Sequence, residues 1–131
     1  MSVVLDQETR RLLDGRNFAT VATLNPDGGP HTSLVWVTRD LDTVLLSTTA
    51  GRRKARNLAR DPRISLTVFD QADPYRTVDI RGTVELVEDP HKDLPRELAR
   101  QYLGTDPPPE SDDVLRLVVR VTPLKVTSFS V

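Results

Sequence analysis

Residues Ser47–Val68 read STTAGRRKARNLARDPRISLTV. Three hydroxyl residues, Ser47, Thr48 and Thr49, close a β-rich segment, and Ala50-Gly51 turns the chain. GRRKARNLAR then carries a helical pattern, with Ala55, Leu58 and Ala59 as its apolar stripe and Thr49 as the expected N-cap. Asp61-Pro62 stops it, because the residue before proline disfavours the α region. RISLTVF resumes as a strand. Arg52, Arg53, Lys54, Arg56, Arg60 and Arg63 crowd this stretch although the whole chain has a net charge of −1. Cations in a first helical turn oppose the helix dipole, which carries about +0.5 charge at that end. The placement makes sense if an anion docks there, where free N–H groups, the dipole and side chains converge. A phosphate suits such a site better than a carboxylate because it accepts several donors at once.

The rest of the chain is built from hairpins. LDQETRRLLDG (Leu5–Gly15) reads as a short helix with Leu5, Thr9, Leu12 and Leu13 on one face and Gly15 at its end. NFATVATL, a turn at NPDGG, PHTSLVWVTRD, a turn at LDT, and VLLST predict three consecutive antiparallel strands. After RISLTVF and the polar loop DQADPYR, TVDIRGTVELVE predicts a long strand. Gly82 in its middle suggests a bulge or bend. Val78, Ile80, Val84 and Leu86 share one face, opposite Asp79, Arg81, Thr83 and Glu85. DPHKDLPRELARQYLG is a helix ending at Gly104, TDPPPESDD is a surface loop too rich in proline and acid to pack, and VLRLVVRV and LKVTSFSV are strands broken at Pro123. The sum is a mainly β domain spanning residues 1–131: an antiparallel barrel or strongly bent sheet of six to seven strands with about three short helices at its edges.

Composition narrows the function. With 131 residues, 37% hydrophobic and 28% charged, the chain is one ordinary globular domain. The absence of cysteine excludes disulfides, thiolate metal sites and a thiol nucleophile. Two histidines, His31 and His91, do not make a zinc motif, so no metal is expected. No apolar run reaches the ~18 residues of a membrane span, and the N-terminus lacks a signal pattern; a cytoplasmic protein is the expectation. The charge balance and few aromatics argue against nucleic acid. There is no G-x-x-x-x-G-K-[ST] loop and no G-x-G-x-x-G after a strand. No Ser/His/Asp arrangement suggests hydrolysis, and no catalytic side chain is assigned. Trp36, the only tryptophan, reads equally as core or as a ligand or interface contact. Tyr75, in a polar loop, reads as an interface or cofactor contact. His31 reads as a strand-end surface residue rather than a general acid, and His91 as a surface or capping residue.

Three runs together carry a resemblance: ATLNPDGGPHTSLVWV, LLSTTAGRRKARNLARDPRISLTV and DPYRTVDIRGTVELVED. Their pattern resembles the pyridoxamine 5′-phosphate oxidase-like split-barrel family, and within it the actinobacterial branch that binds the deazaflavin coenzyme F420. R-x-K-x-R-N-L-x-R-D-P-R, from Arg52 to Arg63, is the most specific piece. The resemblance implies a homodimer with two cofactor sites at the subunit interface. It implies that Arg52 and Lys54 hold the cofactor phosphate, with Arg56 and Asn57 nearby. Ser33, Leu34, Val35 and Trp36, with Ser47, Thr48 and Thr49, would line ring and linker, and a second copy would supply the loop of Tyr75 and Arg76. The implied activity is hydride transfer from reduced F420 to a conjugated small-molecule substrate. An FMN flavoprotein and a non-catalytic binder of F420, FMN or a tetrapyrrole are the alternatives. Leu34 stands where some F420-binding relatives have Asn. The family's longer FMN oxidases carry substrate-phosphate residues that have no counterpart here, which disfavours pyridoxamine phosphate as the substrate.

Overall fold

The computed structural model describes residues 3–129. Seven antiparallel strands form one curled sheet with three helices against it, a split barrel. The strands are β1 (Phe18–Leu24), β2 (Pro30–Trp36), β3 (Thr38–Asp40), β4 (Thr43–Thr49), β5 (Arg63–Phe69), β6 (Thr77–Glu88) and β7 (Arg116–Phe129). The helices are α1 (Gln7–Asp14), α2 (Arg53–Arg60) and α3 (Asp93–Leu103). The sheet order is β2-β1-β5-β6-β7-β4-β3. Its two outermost strands are joined through the single residue Val37, so the sheet must curl until its edges nearly meet.

That join corrects one expectation. Pro30–Asp40 is not one strand of one hairpin: it pairs with β1 up to Trp36 and with β4 from Thr38 onward. Val37, fully buried, sits in neither ladder, and buried backbone groups need partners. The Tyr102 hydroxyl of α3 accepts from Val37 N at 2.9 Å and lies 2.6 Å from the Asn17 carbonyl to which it donates. Gln101 Nε2 donates to the Val37 carbonyl at 3.1 Å. The seam is therefore sewn by α3.

The expected bulge is present. Ladder pairing passes from Arg81↔Lys125 to Gly82↔Pro123, so Leu124 is the extra residue. A Cβ on Gly82 would lie 2.2 Å from the Thr122 carbonyl oxygen, which explains the glycine. The expected break at Pro123 is corrected: β7 is continuous, because a proline without an N–H is tolerated at a bulge. Ser130 and Val131, the end of LKVTSFSV, lie outside the described residues. Asp6, not a residue within the helix, caps α1 through Thr9 N at 2.8 Å. The buried Asp89 carboxylate caps α3, accepting from Asp93 N and Leu94 N at 3.0 Å each. The main core lies inside the sheet and includes Val21, Leu46, Leu66, Val78, Ile80 and Val119. A smaller cluster of Leu45, Leu94, Leu98 and Tyr102, with Trp36 against it, lies under α3. Among the described residues no helix is long and apolar enough to cross a membrane.

Candidate functional site

The helix of the opening stretch does not begin as expected. Thr49 is not its N-cap. It ends β4, paired with Arg116, and its carbonyl accepts from Arg52 N at 3.1 Å. Arg52 takes the cap position with extended backbone and no side-chain cap bond, and no acid stands in the first turn. The first amides of α2 are thus left without a capping side chain.

The buried face of α2 is also different. Lys54, Ala55, Asn57 and Leu58 are buried, whereas Ala59 faces solvent. Positions one turn apart share a side, so 54, 57 and 58 go inward together. Asn57, fully buried, donates through Nδ2 to Thr23 Oγ1 and Asn25 Oδ1, each at 3.0 Å. Its amide ties α2 to the end of β1 and the adjoining turn. Lys54 is 7% exposed and donates to Ser33 Oγ at 3.1 Å. Burial, and after it the neighbouring Arg52, push its ammonium below the usual lysine range.

The six cations now separate. Arg63 grips Asp61, holding that carboxyl down at about 2. Arg60 donates to the Leu24 carbonyl. Among the described residues no carboxylate pairs with Arg52, Arg53, Lys54 or Arg56. Of these, Arg52 and Lys54 line a cleft of about 240 Å³, while Arg53 and Arg56 are exposed on the helix surface.

The same cleft gathers Leu34, Val35 and Trp36 from β2 and Ser47 and Thr48 from β4. Ser33 borders it through its bond to Lys54. Trp36 stacks on Tyr102, ring centroids 5.1 Å apart at 12°, and so belongs both to a core cluster and to the cleft wall. The Thr48 hydroxyl is buried and has no partner, on the face of β4 that Val44 and Leu46 turn to the core. Tyr75 and Arg76 stand apart: Tyr75 is exposed, and Arg76 pairs with Glu8 of α1 at 3.2 Å. Thr49, Arg56 and Asn57 are likewise not part of the cleft lining.

Sequence reasoning missed the opposite wall, which is Pro95, Leu98, Pro107 and Arg116. TDPPPESDD is the expected surface loop, exposed except at half-buried Pro107, but it is tied down: Glu110 binds Arg116 through two bonds of 3.1 and 2.8 Å and Lys92 at 3.2 Å. Arg116 Nη1 in turn reaches Ser47 Oγ at 3.5 Å. The signal that would have found Arg116 is the β4–β7 register, which places it opposite Thr49. The cleft can therefore take an anion between Arg52 and Lys54 and a flat apolar group against Trp36. Among the described residues no group of His, Cys, Asp or Glu is arranged to hold a metal.

With this geometry, the family match has a concrete content. The sequence matches the pyridoxamine 5′-phosphate oxidase family over residues 5–130, and the chain belongs to that family. Among solved structures it is similar to an F420 reductase at 29% identity, covering 94% of this chain and 98% of that one with a TM-score of 0.85. It is also similar to a conserved hypothetical protein of Mycobacterium tuberculosis at 27% identity, covering 98% and 86% with a TM-score of 0.79. General Stress Protein 26 of Bacillus anthracis shares the fold at 13% identity, covering 94% and 92% with a TM-score of 0.72.

Proposed function

We propose that the chain is an oxidoreductase that binds coenzyme F420 in the cleft, with its phosphate between Arg52 and Lys54. The observation that carries this reading is Lys54: a nearly buried ammonium with no carboxylate partner among the described residues, beside a second unpaired cation. Leaving a charge in that state is costly unless something neutralises it. The likeness to an F420 reductase at 29% identity favours the deazaflavin over FMN. When bound, reduced F420 supplies a hydride to a conjugated acceptor.

The chain's own residues have the roles of binding and orientation. Arg52 and Lys54, with the free amides at the start of α2, take the phosphate oxygens. Ser47, half-buried at the cleft, is available to the linker. Trp36, braced by Tyr102, offers a flat apolar surface that excludes water from one side of the ring. Leu34, 61% exposed on the edge strand, adds an apolar side chain to the lining. In this reading the site is completed in a homodimer, where a second copy brings the loop of Tyr75 and Arg76 over the cleft. No side chain is assigned as proton donor, since solvent can supply the proton that accompanies the hydride.

The test is a titration of the cofactor-free chain with F420 and with FMN, read by the emission of Trp36, the single tryptophan. Saturable quenching by F420 at lower concentration than by FMN supports the proposal, as does turnover of F420 with an enone or quinone. Tight FMN binding without F420 binding refutes it. F420 binding with no turnover of any enone, quinone or tetrapyrrole leaves the chain a binding protein.

A further inference from the structure

One cation of the cleft lining differs in electrostatic character from Arg52 and Lys54. Arg116 is the third cation of the lining, yet its fork is closed by Glu110, with side chains only 25% and 28% exposed. The Nε and Nη2 donors are both engaged by that carboxylate. What remains on the Arg116 wall is apolar, Pro95, Leu98 and Pro107, and Trp36 of β2 adds an apolar surface to the lining. Glu110 also accepts from Lys92, but Lys92 lines a neighbouring cleft of about 300 Å³ that shares only Pro95, Pro107 and Arg116 with the first.

We infer that Glu110 is a specificity-determining residue, acting through Arg116: it offsets the Arg116 charge and reserves the wall formed by Arg116, Pro95, Leu98 and Pro107 for an uncharged, largely apolar reactant. Anion binding is thereby confined to Arg52 and Lys54. The inference rests on the proposed ligand site and adds to it the charge class of the second reactant. A purely mechanical role for Glu110 is already covered, because Lys92 holds the same loop through the Ser111 carbonyl at 2.7 Å. The pairing is also permanent at neutral pH. Arg116 in first place, then Lys92, hold the Glu110 carboxyl at about 2 despite the opposing effect of burial.

The experiment compares wild type, Glu110→Gln and the double variant Glu110→Gln/Arg116→Gln. Each is saturated with whichever of F420 and FMN binds, and titrated by calorimetry with 1,4-naphthoquinone and with 1,4-naphthoquinone-2-sulfonate. Wild type is expected to prefer the neutral quinone. Glu110→Gln should shift the affinity ratio toward the sulfonate by about fivefold, the upper range for a partly exposed ion pair. The double variant, with neither charge, should return to the wild-type ratio. Equal weakening of both probes in Glu110→Gln, an unchanged ratio, or a wild type that prefers the sulfonate would overturn the inference. If neither cofactor binds, the functional proposal fails by itself. The same titrations on the cofactor-free chain then still read the Arg116 charge, since Arg52 and Lys54 are common to all three proteins.

Discussion

Replacing Lys54 by methionine separates two demands on one side chain. Lys54 is 7% exposed, and its ammonium donates to Ser33 Oγ at 3.1 Å. Methionine keeps the length and apolar stem and removes the charge. For the cofactor-free fold, the change relieves the desolvation of an unpaired ammonium, a cost of several kcal/mol for a buried ion. It gives up one hydrogen bond from a charged donor, about 1.5–3 kcal/mol. The two nearly cancel, so Lys54→Met should unfold in urea within about 1 kcal/mol of wild type. Ligand binding has no such compensation. A hydrogen bond to a charged group contributes about 1.5–3 kcal/mol, so phosphate-bearing cofactor should bind about 10–150-fold more weakly. There is a pH signature as well. Because the folded pKa of Lys54 lies below its unfolded value, the unfolded chain binds more protons between those two values. Wild-type stability therefore gains a rising component with pH up to the unfolded lysine value of about 10.4. Lys54→Met lacks it. Tyr102 acts oppositely above pH ~10, because burial raises its pKa against the lowering effect of the Val37 N–H, so the comparison belongs below that point. Urea titrations from neutral pH to pH ~10, with cofactor titrations read by Trp36 emission, decide the matter. A variant destabilised by more than about 2 kcal/mol that holds its cofactor unchanged would show Lys54 to be structural and refute the reasoning.

Tyr102→Phe keeps the stack on Trp36 but strips the hydroxyl from the Val37 amide; the loss expected in urea unfolding is about 1–3 kcal/mol, the cost of an unsatisfied buried donor. Gly82→Ala drives a methyl against the Thr122 carbonyl oxygen at 2.2 Å, where backbone rather than a side chain must yield; the expected loss is about 3 kcal/mol, and a variant as stable as wild type in the same assay would show that the bulge relaxes freely.

Local signals carried most of the strands. NPDGG could be read because Gly28 adopts φ 86 in a two-strand turn, and Gly82 because the clash is built into its own strand pair. The seam at Val37 could not be read. The β-branched pattern runs straight through it, and the switch of partners depends on Tyr102, 65 residues away. The cationic stretch shows the same limit. Its sequence indicates an anion at the start of the helix, but which cations reach it depends on how α2 docks. Only docking turns Lys54 inward and Arg53 outward, and gives Asn57 to Thr23 and Asn25. The loop TDPPPESDD was legible as surface, but its anchoring was not: Lys92 and Arg116, outside the loop, supply the partners that fix Glu110.

The seam and the cleft have one cause. In a closed barrel both edges of β2 would be paired. Here β2 pairs with β1 alone and ends the sheet, so its outer backbone groups remain free beside Leu34 and Trp36. The strand that resumes after Val37 carries the chain to β4, whose Ser47 and Thr48 also line the cleft. Opening the barrel at this point therefore creates a slot with free backbone polar groups and hydroxyls. Tyr102 braces this point by bonding Val37 and stacking on Trp36. It follows that Tyr102→Phe should loosen the cleft as well as the fold, weakening cofactor binding beyond what its stability loss accounts for. Gly82→Ala, which acts on β6 opposite the β7 bulge and outside the lining, should cost stability and leave the affinity of the folded fraction unchanged.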